Sequence, residues 1–299
     1  MNNMHEYRSA IFIPGSNEKM LAKANSLDAD LILFDLEDSV PPTKKEHARE
    51  LVVASLEETR NSEETRKSQT AYGVRVNDLS SGHTLADLTA ILPAKPDVIL
   101  LPKVESGDDL VKVDTMFSEL EDKTKTSFAN IKLLLLTAET PASIFQFNSL
   151  KNISNRLTGL TWGAEDFANE LGALSNRDES GTWLPPFQLA QTLCLIKARD
   201  LDVQAIDTVY TDIKNTDGLR AECIAAKQIG FTGKLAIHPG QLAVINEVFS
   251  PSEQEVNHAQ RLVELFANNP NAGALELDGK MIDKPHLRAA ERLLKRRST

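Results

Sequence analysis

Eight short apolar segments divide the sequence, and each is followed by polar residues and then by an amphipathic stretch of helical length. The segments are Ala10–Ile13, Leu31–Leu36, Tyr72–Val76, Val98–Leu101, Lys132–Leu136, Leu157–Trp162, Ala205–Tyr210 and Lys234–Ile237. Continuous apolar runs are typical of parallel strands that are buried on both faces. Strands that alternate with helices indicate βαβ units. Eight such units predict a (β/α)₈ TIM barrel, although an open doubly wound sheet with extra strands carries the same local signals.

The pattern changes after the eighth segment. Residues 252–266 are amphipathic, Gly273–Ile282 carries the hairpin-turn pair Asp278-Gly279, and Lys284–Lys295 has the pattern of a last helix. A barrel takes about 250 residues, and the remaining residues are too few to bury much core alone. We therefore predict an α/β barrel over residues 1–250 and a C-terminal appendage of hairpin and helix over residues 251–299.

Composition excludes several classes of protein. The formal net charge is −10, whereas a nucleic-acid surface needs a clustered basic face. Cys194 and Cys223 are isolated in the sequence, which is typical of reduced thiols in a cytoplasmic protein. The first residues have no apolar core of a signal peptide, and no apolar run approaches the about 20 residues of a membrane-spanning helix. We expect a cytoplasmic protein with neither nucleic acid nor membrane as a partner.

Polar side chains follow the predicted strands at their carboxyl ends, where barrel enzymes place their catalytic groups. They include Asp35, Glu37 and Asp38 after the second strand, Arg75 and Asn77 after the third, Lys103 and Glu105 after the fourth, Glu139 after the fifth and Asp166 after the sixth. The sequence therefore predicts a functional site at this end of the barrel.

Arg75 is predicted to point into the mouth of the barrel. Side chains alternate along a strand, so Val74 and Val76 share one face and Arg75 lies on the other. An inward arginine among carboxylates suits a two-point contact with a substrate carboxylate or a developing enolate. The alternative is a buried ion pair with Glu37 or Glu139 that binds no ligand.

Glu139 and Asp166 end adjacent predicted strands, and neighbouring strands lie about 4.8 Å apart. Two carboxylates at that separation repel each other unless a cation or a proton lies between them. Mg²⁺ takes one or two protein carboxylates together with water and substrate oxygens. Alternatively, Glu139 pairs with Lys103 or Arg75 while Asp166 only caps the helix that follows it.

Other residues near the strand ends carry weaker signals. His238 precedes a proline at a strand–helix junction, where a structural role is the more common one. Lys19 and Lys23 lie one turn apart and, without further context, form a solvated helix face. Leu174–Leu184 reads as a long loop, and loops of that length in compact domains are often functional.

Seven short motifs occur in one order along the chain. They are Arg8–Ser16, Asp35–Val40, Arg75–Asn77, Leu101–Glu105, Ala138–Thr140, Gly163–Asp166 and Ile237–Pro239. Each motif alone is weak evidence for any protein family. Seven motifs in this order on successive strands are highly specific for one family. Their order resembles that of the citrate lyase β-subunit family, which includes malyl-CoA and citramalyl-CoA lyases, and the resemblance runs from Arg8 to Pro285.

The resemblance implies a homotrimeric, Mg²⁺-dependent lyase that cleaves a 3-hydroxyacyl thioester, borne on CoA or a carrier protein, into an acetyl thioester and a 2-keto acid. It places the metal on Glu139 and Asp166, with Glu139 also beside the substrate, and the substrate-binding, catalytic arginine at Arg75. It also places the thioester contacts at Phe12, Lys19 and Lys23, and a catalytic aspartate at Asp283. In the thioester lyases of the family that aspartate reaches the active site of a neighbouring subunit, so we expect the appendage to pack there.

One departure from the family pattern is Pro141, where many relatives have a small residue, and it falls at a first helical position that tolerates proline. Two other activities remain open. The chain is alternatively a citrate lyase β subunit acting on a citryl-carrier protein within a complex, or an aldolase acting on free hydroxy-keto acids. A non-catalytic barrel is disfavoured by the full set of Arg75, Glu139, Asp166 and Asp283.

Overall fold

The computed structural model describes residues 6–61, 69–151 and 154–297. Eight parallel strands form a closed barrel in chain order. They are β1 (Ser9–Pro14), β2 (Leu31–Asp35), β3 (Ala71–Arg75), β4 (Val98–Leu101), β5 (Lys132–Thr137), β6 (Leu157–Trp162), β7 (Gln204–Asp207) and β8 (Gly233–Ala236). The closure between β1 and β8 confirms the predicted barrel and excludes the open sheet.

Helices alternate with the strands and surround the barrel. They are α1 (Glu18–Leu21), α2 (Lys45–Asn61), α3 (Thr84–Ile91), α4 (Gly107–Thr124), α5 (Pro141–Gln146), α6 (Ala164–Leu171), α7 (Pro185–Asp200), α8 (Thr216–Ile229) and α9 (Leu242–Phe249). One helix differs from the sequence pattern. The amphipathic stretch after Asn17 predicts one helix to Leu27, but α1 ends at Leu21 and a separate 3₁₀ turn spans Ala24–Ser26.

Alternate residues of each strand pack on opposite faces of the barrel wall. Leu31, Leu33 and Leu100 belong to the cluster that fills the barrel interior. Ile32 and Phe34, the intervening residues of β2, belong to the outer cluster between strands and helices. Both faces are apolar because both are buried, which is why the strands appear in the sequence as continuous apolar runs.

The C-terminal appendage has a small core of its own. It consists of α10 (Glu253–Ala267), the antiparallel pair β9 (Ala274–Leu277) and β10 (Lys280–Asp283), and α11 (Lys284–Arg297). Its buried residues are Ala259, Leu262, Phe266, Ile282 and Ala290. Asp278 and Gly279 both have positive φ, 54° and 75°, as the tight turn predicted from their sequence requires. The packing of this appendage on a neighbouring subunit stays a prediction.

Two further predictions concern the surface. A surface loop is predicted at residues 60–70, but residues 62–68 lie outside the described residues, and α2 continues to Asn61. Within the part of the chain that the structure describes, every helix is too short or too polar to cross a membrane.

Candidate active site

Arg75 is held at the barrel mouth by the carboxylate of Asp35. The two residues are paired at the ends of β3 and β2. Arg75 Nε donates to Asp35 Oδ1 at 2.7 Å and Nη2 donates to Oδ2 at 2.7 Å. Burial opposes the ionised form of Asp35, but the charge of Arg75 outweighs it and lowers the pKa of this carboxyl. Val74 and Val76 are buried on the helix side, as the alternation predicts.

Phe12 and Glu37 complete the surroundings of the guanidinium group. The ring of Phe12, at the centre of β1, has its centroid 4.6 Å from Arg75 Cζ, which is within the range of a cation–π contact. Arg75 Nη1 lies 3.0 Å from Glu37 Oε2. The sequence-based alternative of an ion pair with Glu37 is therefore present, and Asp35 is an additional partner. The guanidinium is fixed on three sides before any substrate binds.

Lys103 contacts four carboxylates, including that of Asp38 at 3.6 Å, through two different groups. Its backbone N–H donates to Glu139 Oε2 at 2.6 Å, and its ammonium group lies 2.8 Å from Glu37 Oε1 and 3.9 Å from Asp166 Oδ1. The backbone adopts the left-handed conformation, with φ at 52°, which costs a residue other than glycine about 1–2 kcal/mol. The alternative pairing of Glu139 with Lys103 is thus present, but it occurs through the backbone N–H of Lys103.

Glu139 is buried, with 1% of its surface exposed. Burial, and then the charges of Asp166 and Glu37, raise its pKa well above the ordinary value. Its side chain lies against Gly163, where an added Cβ would be 2.5 Å from Glu139 Cγ. Gly163 directly precedes α6, and Asp166 lies in the first turn of that helix. A glycine at this junction therefore lets the buried carboxylate approach the start of α6.

The mouth carries more acidic than basic side chains. Its charged groups are the carboxylates of Asp35, Glu37, Asp38, Glu139 and Asp166 and the cations Arg75 and Lys103. Among the described residues, no three acidic, His or Cys side chains converge closely enough to hold an ion by themselves. Mg²⁺ needs only one or two carboxylates and prefers oxygen ligands. The excess of buried and half-buried carboxylates fits a hard dication at Glu139 and Asp166.

The lysines that follow β1 and the aspartate of the appendage lie apart from this cluster. Lys19 in α1 and Lys23 just beyond it are both exposed. Asp283 ends β10, and its carboxylate Oδ1 lies 2.6 Å from Nδ1 of His286. Within the described chain no ion pair joins Asp283 to the mouth. One chain therefore brings Phe12, Arg75, Glu139 and Asp166 together and leaves Asp283 outside the cluster.

Local structure explains two further residues. Pro141 is the first residue of α5, and the Thr140 hydroxyl caps that helix by accepting the N–H of Ser143 at 3.2 Å. The proline is accommodated where sequence reasoning expects it to be. His238 Nδ1 accepts the N–H of Gly240 at 3.1 Å, which is the structural role predicted for it.

The loop after α6 is fixed close to Asp166. Asn176 Nδ2 donates to Glu165 Oε1 at 2.8 Å. The guanidinium carbon of Arg177 lies 3.4 Å from the centroid of the Trp183 ring, and Arg177 also forms an ion pair with Glu222. This loop, predicted to be functional, thus has a defined conformation beside the mouth.

Comparison with known proteins identifies the family of this chain. The family model described as HpcH/HpaI aldolase/citrate lyase matches residues 8–239. The chain belongs to the HpcH/HpaI aldolase/citrate lyase family. This confirms the family predicted from the seven motifs and, with it, an enzyme of the carbon–carbon lyase type.

Individual relatives cover almost the whole chain. Citrate lyase subunit beta of Haemophilus influenzae is 36% identical over 97% of this chain and 96% of its own length. A (3S)-malyl-CoA thioesterase of Cereibacter sphaeroides is 37% identical over 97% of this chain and 94% of its own length. The crystal structure of CitE from Mycobacterium tuberculosis in complex with magnesium, acetoacetate and coenzyme A has a TM-score of 0.75 at 26% identity, and covers 97% of this chain and 98% of that one.

Sequence reasoning named no partner for Arg75 on the second strand other than Glu37. Asp35 was recognised only as a polar residue at a strand end, and Lys103 only as an alternative partner of Glu139. Their pairing with Arg75, Glu37 and Glu139 joins residues 36 to 66 positions apart. The sequence shows many charged residues at successive strand ends, and this density indicates where the functional site lies. It does not indicate which charged residues form ion pairs or hydrogen bonds with each other.

Proposed function

We propose that this family member is a Mg²⁺-dependent lyase that cleaves a 3-hydroxyacyl thioester into an acetyl thioester and a 2-keto acid. The observation that carries the proposal is the approach of Glu139 and Asp166 beside a fixed Arg75 at the barrel mouth. The relative from M. tuberculosis, crystallised with magnesium, acetoacetate and coenzyme A, supports the same classes of metal and ligand.

Glu139 and Asp166 would hold the metal ion. When bound there, Mg²⁺ supplies Lewis-acid chemistry to oxygen atoms of the hydroxyacyl group. Burial and acidic neighbours raise the pKa of Glu139 because they disfavour its negative charge, and a dication bound there would compensate that charge. Asp166 has 36% of its side chain exposed, which leaves this side of the metal position accessible to substrate and water.

Arg75 would stabilise the thioester enolate that leaves when the carbon–carbon bond breaks. A preorganised cation is most effective where negative charge develops. Asp35 and Phe12 fix the guanidinium. Burial opposes its charge, but the surrounding carboxylates outweigh that effect and raise the pKa of Arg75, so it remains charged. Glu139 would contact the carboxylate end of the same substrate, opposite the thioester.

The thioester end of the substrate would lie along the first βα unit. Phe12 lines the mouth, and the exposed Lys19 and Lys23 would contact the phosphates of CoA, which need cationic partners. Asp283 of a neighbouring subunit in a homotrimer would protonate the enolate carbon. Reversal of that step removes the same proton in the condensation direction.

The decisive test is a product assay. Purified protein is incubated with Mg²⁺ and citramalyl-, malyl-, methylmalyl- or citryl-CoA, and acetyl-CoA and 2-keto acid are measured. We expect equal amounts of both products from at least one substrate, and their loss when EDTA is added. The proposal fails if no thioester in the panel yields a keto acid.

A second candidate is thioester hydrolysis, because a relative 37% identical over 97% of the chain is named (3S)-malyl-CoA thioesterase. Hydrolysis would release free CoA and an intact hydroxy acid, so the same assay separates it from cleavage. Two narrower alternatives have their own tests. Pull-down of an acyl-carrier protein would favour a citrate lyase β subunit, and the absence of CoA protection in thermal denaturation would favour an aldolase acting on free acids.

A further inference from the structure

We propose that Glu37 is the catalytic base that removes the proton from the substrate hydroxyl group. The inference rests on the proposed cleavage, in which that proton must leave as the carbon–carbon bond breaks. Glu139 and Asp166 are assigned to the metal and Asp283 to the opposite proton transfer at carbon. None of the residues assigned so far performs the deprotonation.

Glu37 lies at the mouth just beyond β2, with 3% of its surface exposed. Its Oε1 accepts a hydrogen bond from Lys103 Nζ at 2.8 Å. Its Oε2 lies 3.0 Å from Arg75 Nη1 as an ion pair, but the contact is not aligned as a hydrogen bond. No described residue donates a hydrogen bond to Oε2. A buried carboxylate oxygen with an unused acceptor position is placed to accept a proton from a ligand.

Glu37 lies near the residues proposed to bind the metal and the substrate. The ammonium group of Lys103 is 2.8 Å from Glu37 and 3.9 Å from Asp166. Glu37 Oε1 and Asp166 Oδ1 are therefore no more than about 7 Å apart, so Glu37 lies beside the proposed metal position. Arg75, which would bind the same substrate, contacts Glu37 directly.

The backbone of Glu37 is also fixed. Lys45 is a buried residue of α2, and its ammonium group donates to the carbonyl oxygens of Leu36 at 2.7 Å and of Glu37 at 2.8 Å. The N–H of Glu37 donates to Asp35 Oδ1 at 2.9 Å. With both sides of its peptide unit anchored, Glu37 has only its side-chain torsions free.

The electrostatic surroundings suit a base. Burial raises the pKa of Glu37 to about 7, against the opposing charges of Arg75 and Lys103 and with a contribution from Asp38. A general base works best when its pKa lies close to the operating pH. Arg75 and Lys103 have raised pKa values and remain protonated, so neither can serve as the base. Two further charged groups interact with Glu37. Glu139 is assigned to the metal, and the ammonium group of Lys45 donates to backbone carbonyl oxygens.

The hydroxyl O–H bond breaks and its proton moves to a carboxylate oxygen of Glu37. The oxygen electron pair forms the carbonyl of the 2-keto acid, and the carbon–carbon electron pair moves into the thioester enolate beside Arg75. Asp283 then donates a proton to the enolate carbon. Exchange with water returns Glu37 to its ionised form and Asp283 to its protonated form.

The test is Glu37→Gln, which keeps the size of the side chain and removes its basicity. We expect kcat for cleavage to fall at least about 100-fold, the lower scale of general-base catalysis. We expect the KM and the Mg²⁺ affinity measured by calorimetry to stay within about threefold of the wild-type values. Since ionised Glu37 is the active form, wild-type kcat/KM should rise as pH increases on the acidic side of the profile, and the remaining activity of the variant should lack that rise.

Two comparisons complete the design. Glu37→Asp retains a carboxylate and should recover part of the rate together with its pH dependence. Glu50→Gln makes the same chemical change at an exposed position of α2 and should leave kcat and the pH profile unchanged. Near-normal cleavage by Glu37→Gln, an unaltered pH profile, or a parallel loss of Mg²⁺ affinity would overturn the assignment. If the wild-type protein cleaves no thioester of the panel, the proposed function is wrong, and the assignment of Glu37 as its base is wrong as well. If the wild-type protein cleaves a thioester and Glu37→Gln cleaves it equally well, only the assignment of Glu37 is wrong.

Discussion

Glu139 occupies the space that a side chain at position 163 would fill: a Cβ on Gly163 would lie 2.5 Å from Glu139 Cγ and 2.7 Å from Oε1. The buried carboxylate and the glycine at the start of α6 are thus complementary in shape. The two predicted metal-binding residues can approach each other because the intervening strand–helix junction has no side chain.

Gly163→Ala should therefore displace Glu139. We expect at least a tenfold loss of Mg²⁺ affinity, measured by calorimetry, and a destabilisation of about 1–3 kcal/mol from overpacking. Gly273→Ala is the matched control, because nothing lies within 4 Å of the added Cβ, and it should change neither quantity. Unchanged Mg²⁺ affinity in Gly163→Ala would show that Glu139 does not need this space to bind the ion.

The stability of the metal-free protein should depend on the ionisation of Glu139. Its pKa in the folded state lies well above the ordinary value of 4.5, so between these two pKa values the native state holds a proton that the unfolded state has lost. Stability then falls as pH rises through this interval. In EDTA, the wild-type melting temperature should decrease from pH 5 to pH 8, and Glu139→Gln should reduce that decrease.

Mg²⁺ should reverse this loss in the wild-type protein at pH 8. An ion present at 100 times its dissociation constant adds about 2.7 kcal/mol to the free energy of unfolding. Glu139→Gln and Asp166→Asn should show little or no such increase. The metal assignment is contradicted if either variant is stabilised by Mg²⁺ as strongly as the wild type.

Substitutions of Arg75 should distinguish the effect of its positive charge on kcat from the effect of its two-point contact with Asp35. Arg75→Ala should lower kcat at least about 100-fold, the scale for removing one group that stabilises an oxyanion. Arg75→Lys keeps the charge but cannot form the two-point contact with Asp35, so most of the loss should remain. Steady-state kinetics and Mg²⁺ calorimetry check both variants, and a near-normal kcat in Arg75→Ala would exclude the enolate role.

Asp283 should act across a subunit boundary. Asp283→Ala and Arg75→Ala would each be inactive alone, but in mixed trimers one subunit supplies Arg75 and its neighbour supplies Asp283. Mixing should restore a fraction of the wild-type kcat once subunit exchange has been demonstrated by mass spectrometry. Each variant mixed with itself is the control, and the absence of complementation in proven mixed trimers argues against the shared site.

Local patterns in the sequence determined the elements of the fold. The eight strands follow from apolar runs buried on both faces, the turn at Asp278-Gly279 from its need for positive φ, and the inward direction of Arg75 from strand alternation. These features depend on residues within a few positions of one another. The family resemblance then assigned roles to Glu139 and Asp166.

Tertiary structure alone decided which charged groups meet. Strand register and barrel closure place Asp35 opposite Arg75, and the left-handed backbone at Lys103 directs its N–H to Glu139 while its ammonium group contacts Glu37. These contacts join residues far apart in the chain, and several acidic partners with the same local pattern compete for each cation. The choice among them depends on distances and burial that exist only after the barrel has closed.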